Sequence, residues 1–349
     1  MGKSRLLRRR TERLGQKTNA SPENKKGAEG FSAGETKPKE KLGLEKAYAR
    51  FFEKNYKNLM IIPIIILILA LGVIAYQIST TGDFIQKGVS LKEGITITIP
   101  SEKEFDTSEL KAMLISKFPN ADVDIKTYSD LGRPKGIIIQ ASDIDPDNEV
   151  AEQKLLDAIE PEIPNAREVF SSRKVGSDLG NSFFQQTGLL MIAAFIFMGL
   201  VVFLYFKESI PSAAVMLAAF SDIVGTIAVT NLLGIKITTA GVAAFLMLIG
   251  YSVDTDILLS TRVLKRKAGT VAERIAGSVK TGGMMGLTTI CSAIVALMFS
   301  QSEILTQIMS IILIGLILDL FNTWFQNAGI LMLYMKRKER KHNQKYGLK

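Results

Sequence analysis

ITTAGVAAFLMLIGYSVDTDILLSTRVLKRK, residues 237–267, carries two carboxylates, Asp254 and Asp256, through an apolar run long enough to cross a bilayer, and it ends on a basic cluster. An Asp at the centre of a membrane helix costs about 2.5–3.5 kcal/mol on insertion scales, so such acids face a bundle interior or a wet cavity. The two are two positions apart, so at about 100° per residue they diverge by about 200° and cannot face one partner. Asp254 is in register with Gly250 and Leu258, whereas Asp256 falls one turn before Ser260 and near Arg262 and Lys265, either of which is able to pair with it.

The composition of the whole chain agrees with a membrane span here. Of 349 residues 47% are hydrophobic, yet 22% are charged, so polar and apolar material is segregated into blocks. The single cysteine, Cys291, excludes an intramolecular disulfide and lies in an apolar run with no second ligand beside it, and the only histidine, His342, sits in a charged tail. No metal, no cofactor and no enzymatic activity are therefore expected. The net charge of +9 is unevenly placed, with 16 Lys/Arg against 7 Asp/Glu in residues 1–58 and 12 against 19 in residues 79–185. Basic segments between apolar runs follow the positive-inside rule, and they lack the interleaved aromatics of a nucleic-acid surface, so no nucleic-acid partner is expected.

Working outward from the opening stretch, six apolar runs divide the chain. Residues 1–58 read as a disordered basic cytoplasmic tail with an interfacial lead-in over 43–58, and residues 59–78 hold the first span. Residues 79–185 are water-soluble in character and are placed outside the cell. Residues 186–335 hold five further spans, at about 187–206, 210–232, 237–260, 281–300 and 304–335, and residues 336–349 form a basic cytoplasmic tail. Both termini are then cytoplasmic in a multi-pass protein of the cell membrane, and the loop 262–280 and the C-terminal tail fall on the same side.

Within residues 79–185, alternation predicts strands over 95–99, 121–128 and 136–141, with a turn at 132–134 and a closing strand over 167–175. Helical spacing predicts helices over 106–118 and 148–159. The order β-α-β-β-α-β is a ferredoxin-like domain, which makes the whole an α+β membrane protein with one such domain between its first and second membrane helices.

Polar residues inside the spans are the candidate site. Asp222 lies near the middle of the third span, Asp254 and Asp256 in the fourth, Lys280 opens the fifth, and Asp319 lies in the sixth with Asn322 and Gln326 on nearly the same face. A carboxyl balanced between burial and a nearby cation exchanges protons near neutral pH, so Asp254, Asp222, Asp256, Lys280 and Asp319 are the proton-relay candidates, with Asp254 preferred. The competing reading pairs these acids with Lys280, Arg262 or helix-borne Thr and Asn as packing alone. Gly282 and Gly286 form a small-xxx-small pattern in the fifth span.

Four motifs carry a resemblance. GVSLKEG at 88–94, VGSDLGNSF at 175–183, Asp222 within SDIVGTIAVTNLLGIKIT, and GYSVDTDILLSTR at 250–262 together resemble the SecD/SecF family of protein-export membrane proteins, on its SecF side and of archaeal type. The likeness covers about residues 80–335. Glu93 stands where the family usually has Gly, the VD-x-(N/D) arrangement at 253–256 looks more like the SecD helix, which favours Asp254, and Lys280 stands where bacterial relatives have Arg. The resemblance implies a six-helix half-bundle similar to half of a resistance-nodulation-division (RND) transporter. It also implies a SecD-like partner, the Sec channel and an exported polypeptide, with the proton gradient as driver. Two other functions fit the six spans: an RND-type exporter of small molecules or lipids, and a purely structural translocon scaffold.

Overall fold

The computed structural model describes residues 43–101, 106–119, 121–130, 133–144, 149–163, 166–266, 268–300 and 302–346. The expected tail over 1–42, part of the 132–134 turn and the last three residues lie outside them.

The first helix, α1 (Gly43–Thr81), is 39 residues long and takes in both the lead-in and the first span. The lead-in is thus continuous with the first span as one helix. Its Ala49 and Phe52 are buried against Ile275, Ala276 and Leu331 of two other helices, which holds it upright on the bundle.

The α+β domain follows. Its strands are β1 (Gly94–Pro100), β2 (Asp122–Asp130), β3 (Arg133–Ser142) and β4 (Ser171–Val175), and its helices are α2 (Thr107–Lys117), α3 (Glu149–Ile159) and the short α4 (Ala166–Val169). The sheet order is β2-β3-β1-β4 with every neighbouring pair antiparallel, the ferredoxin-like topology expected from the element order. Ile95, Ile97 and Ile99 of β1 and Ile137 and Ile139 of β3 alternate onto one face and pack against Leu110, Leu114, Leu155 and Ile159. Asp106 starts α2 by accepting from the Ser108 and Glu109 amides at 2.9 and 3.2 Å. The strand expected over 167–175 is shorter than its pattern, because Ala166–Val169 closes a helical turn first. Gly94 has φ +151°, and a Cβ there would lie 2.3 Å from the Ala141 carbonyl oxygen, so the glycine that ends GVSLKEG is what lets β1 start against β3.

The bundle consists of α5 (Ser177–Phe206), α6 (Ser209–Leu232), α7 (Thr239–Lys265), α8 (Val271–Phe299), α9 (Glu303–Phe321), a widened π-helical turn at Asn322–Asn327, and α10 (Ala328–Tyr346). Among the described residues, six helical segments are long and apolar enough to cross a bilayer. Leu189, Ile192, Ile196 and Phe197 of α5 are more than 60% exposed, the surface of a helix bathed by lipid. By contrast α6 is buried along most of its length. The basic segment from Lys336 is helical as far as Tyr346.

The polar face of the sheet sits over one end of the bundle. Lys126 of β2 pairs with Glu303 at 2.7 Å, Gln140 of β3 donates to the same carboxylate oxygen at 2.9 Å, and Lys236 pairs with Asp122 at 2.7 Å. Backbone bonds from Gly88 N to Ile237 O (2.8 Å) and from Ile237 N to Gln86 O (2.7 Å) tie the segment after α1 to the start of α7. A cavity of about 310 Å³ remains beneath the sheet, lined in part by Thr96, Thr98, Arg173 and Glu303.

Candidate functional site

Three helices converge on a buried polar cluster. From α6 comes Asp222, which is fully buried, and Ser221; from α7 come Ser252, Thr255 and Asp256; from α9 and the π turn come Asp319, Asn322, Thr323, Gln326 and Asn327. Small residues bring the helices together. A Cβ on Gly225 of α6 would stand 2.9 Å from Leu318, and one on Gly315 of α9 would stand 2.4 Å from Leu248. Beyond Asp319 the π turn carries hydrogen-bonding side chains into the interior, where a regular helix would turn part of them outward.

The geometry divides the acids into a pair and a neighbour. Asp222 accepts from Ser252 Oγ at 2.5 Å and from Asn322 Nδ2 at 2.7 Å. Asp319 accepts from Thr323 Oγ1 at 2.8 Å and from Thr255 Oγ1 at 3.3 Å. The Asp222 and Asp319 carboxyls lie near enough to act on each other electrostatically. Asp256 accepts from Asn327 Nδ2 at 2.7 Å and feels the charge of Asp319. Among the described residues no Lys or Arg forms an ion pair with Asp222, Asp256 or Asp319. Buried charge without a fixed partner is costly.

The structure separates the predicted candidates. Asp222, Asp256 and Asp319 are brought together. Asp254 is not: it is exposed on the opposite side of α7, as the two-residue offset from Asp256 requires. The carboxylate turned into the bundle is Asp256, not the preferred Asp254, because α6 and the π turn pack on that side. Lys280 does not approach the acids either; it is 62% exposed and pairs with Glu45 of α1 at 3.2 Å. Nor do the expected cations reach Asp256. Arg262 donates to the Gly277 carbonyl and to Thr281 (2.9 Å), closing the α7–α8 hairpin, and Lys265 lies over the Tyr205 ring at 3.9 Å.

Ser252, Thr323 and Asn327 belong to the site and were not among the sequence candidates. The signal for the last two is density: NTWFQN at 322–327 places four hydrogen-bonding side chains within six residues of an otherwise apolar span. Within the described residues no group of three or more His, Cys, Asp or Glu side chains is arranged to hold a metal ion.

Comparison with known proteins gives concordant results. The family described as "Protein export membrane protein SecD/SecF, C-terminal" matches residues 156–337. The protein-export membrane protein SecF of Pyrococcus furiosus is 35% identical over 305 residues, covering 87% of this chain and 97% of that one. The SecF of Methanocaldococcus jannaschii is 35% identical over 287 residues, covering 81% of this chain and 96% of that one. Among solved structures, SecDF, a translocon-associated membrane protein from Thermus thermophilus, superposes with a TM-score of 0.62 at 18% identity. That superposition covers 82% of this chain and 38% of the SecDF chain. A super-membrane-facing form of SecDF gives a TM-score of 0.51 at 15% identity. At these identities the structural likeness is one of fold.

Proposed function

This chain belongs to the SecD/SecF family of protein-export membrane proteins, and from that premise we propose that it is a SecF-like transport subunit that works with a SecD-like subunit and the Sec channel. In this reading it assists the passage of exported polypeptides across the cytoplasmic membrane and draws on the proton gradient. The α+β domain faces outward, and both termini and the basic ends of α7 and α10 face the cytoplasm, as the positive-inside rule favours.

The observation that carries the reading is the trio of buried carboxyls, Asp222, Asp256 and Asp319, with no ion-paired Lys or Arg among the described residues. Loss or gain of a proton at the Asp222–Asp319 pair changes which of Ser252, Asn322, Thr323 and Thr255 those carboxyls hold, and so changes how α6, α7 and α9 fit. Asp254 takes a different part. Met247, Tyr251 and Asp254 form an exposed stripe at helical spacing, and a carboxylate facing lipid is costly, so this is where the SecD-like subunit covers α7.

The test is translocation into vesicles carrying this chain, its SecD-like partner and the channel, with and without an imposed proton gradient. Asp222→Asn and Asp319→Asn are each expected to reduce the gradient-dependent increment to the gradient-free level while leaving assembly intact. A wild-type increment in both variants overturns the proton-driven reading and returns the acids to packing.

A further inference from the structure

The lipid-facing side of α5 ends in a group of hydrogen-bond donors. Phe197, Val201 and Tyr205 follow one another at one-turn spacing, all exposed, and lead to the end of the bundle remote from the sheet. The last turns of α7 meet Tyr205 there. Thr261 Oγ1 donates to the Tyr205 hydroxyl at 3.5 Å, and Lys265, one turn further along α7, holds its ammonium 3.9 Å from the centroid of the same ring. The phenol oxygen is the acceptor in its contact with Thr261, so its own hydrogen is unspent.

Positive charge here is not answered by acids of the chain. Among the described residues no carboxylate pairs with Lys265, or with its chain neighbour Arg266, or with Lys207 just beyond Tyr205. Glu208 is engaged by Lys338 and Tyr334. Arg262 and Arg274 are spent on the uncharged carbonyls of Gly277 and Val263. Unpaired ammonium and phenol donors at a membrane boundary suit a phosphate, whose oxygens only accept. A quaternary ammonium headgroup fits poorly, because Lys265 already occupies the face of the Tyr205 ring and repels a second cation. The exposed Val201 and Phe197 offer an acyl chain a surface directly inward of the donors.

We propose that Tyr205, Thr261 and Lys265 bind the phosphate of an anionic phospholipid whose acyl chain lies along Val201 and Phe197. The Lys265 ammonium and the Tyr205 hydroxyl donate to the phosphate oxygens, and Lys207 and Arg266 add to the attracting field. The bound lipid bridges α5 to the end of α7. This site goes beyond the transport reading and depends neither on it nor on which side of the membrane this end faces.

The experiment is native mass spectrometry of the purified full-length chain in detergent, titrated with dioleoylphosphatidylglycerol or dioleoylphosphatidylcholine. Phosphatidylglycerol is expected to bind about tenfold more tightly than phosphatidylcholine, and excess inorganic phosphate should not displace it. Lys265→Gln should weaken phosphatidylglycerol binding about tenfold, and Tyr205→Phe, which keeps the ring under Lys265, about fivefold. Arg340→Gln removes an exposed cation of α10 at the same end of the bundle and should leave binding unchanged. Circular dichroism of each variant, matching the wild type, shows that it is folded. Equal binding of the two lipids overturns the proposal, as does equal weakening by Lys265→Gln and Arg340→Gln, which would mean attraction by overall charge. Displacement by inorganic phosphate also overturns it, by making this a site for a free anion.

Discussion

Gly282→Ala and Gly286→Ala offer a matched test of how the fifth membrane helix meets the site. A Cβ on Gly282 would lie 2.7 Å from both Cη2 and Cζ2 of Trp324, whereas one on Gly286 would lie 3.7 Å from Leu320 Cδ2. The second distance is an ordinary contact; the first is about 1 Å too short, so the indole has to move. Trp324 is buried within the π turn, with Thr323 and Gln326 buried on either side, so it has little room to give. Overpacking of this kind costs about 1–3 kcal/mol. Replacing a helical glycine by alanine returns about 1 kcal/mol in either variant, so it cancels in the comparison. Gly286→Ala should therefore be the more stable of the two by about 1–3 kcal/mol. The assay is unfolding in mixed micelles with rising SDS, followed by tryptophan fluorescence. Because the chain has one tryptophan, the emission reports the surroundings of Trp324. Gly282→Ala should also shift the folded-state emission, and Gly286→Ala should not. Equal stabilities with unchanged emission in both variants would refute the packing argument, and with it the claim that α8 braces the π turn.

Three further outcomes follow from the geometry. Asp222→Leu strands the Ser252 hydroxyl and the Asn322 amide and should cost roughly 2–6 kcal/mol, while Asp222→Asn keeps a partner for each and should cost below about 1 kcal/mol, measured by the same SDS titration. Glu303→Gln removes the charge that holds Lys126 and should raise amide exchange in β2 and β3, by an increment of about 1 kcal/mol or less given the pair's partial exposure; 1 M salt should mimic it in the wild type, and no change in either condition counts against the docking role. Burial pushes the Glu208 carboxyl up, but the Lys338 ammonium at 2.7 Å and the Tyr334 hydroxyl at 2.9 Å outweigh it and hold the carboxyl below the usual range. The clamp on α10 is then complete above the unfolded Glu value of about 4.3 and is lost as pH falls through the lower folded value. Amide exchange near the end of α10 should rise on acidification in the wild type and stay flat in Glu208→Gln.

Much of the fold is legible in the chain because a bilayer demands long apolar runs. The run at 210–232 is α6 almost to the residue, and 237–260 is the body of α7. Helix α8 begins ten residues before the run expected at 281, because Thr270 and Glu273 form a reciprocal cap that starts it outside the apolar stretch. That T-x-x-E signal is present in the sequence, but hydropathy does not register it. The site is less legible. Helical geometry establishes that Asp254 and Asp256 point apart, yet which of them turns inward depends on the helices packed against α7, and no local pattern in α7 encodes that. Lys280 fails to meet the acids for a similar reason: the upright lead-in of α1 supplies Glu45 first. The π turn escapes a reading based on 3.6-residue periodicity, and Asn327 with it.

Helix α9 runs without interruption from Glu303, which grips Lys126 and Gln140 of the sheet, to Asp319, which lies beside Asp222. Sixteen helical steps of about 1.5 Å make a strut of about 24 Å, stiff along its axis. A connecting rod with one carboxylate at each head cannot slide at one end alone. An axial slip of about 1 Å at the buried head reaches the sheet undiminished, and a tug on the sheet reaches the buried head in the same way. The rod ends where the wider coil at Asn322–Asn327 begins, immediately beyond the buried head, so the change of pitch falls between the buried carboxylate and α10.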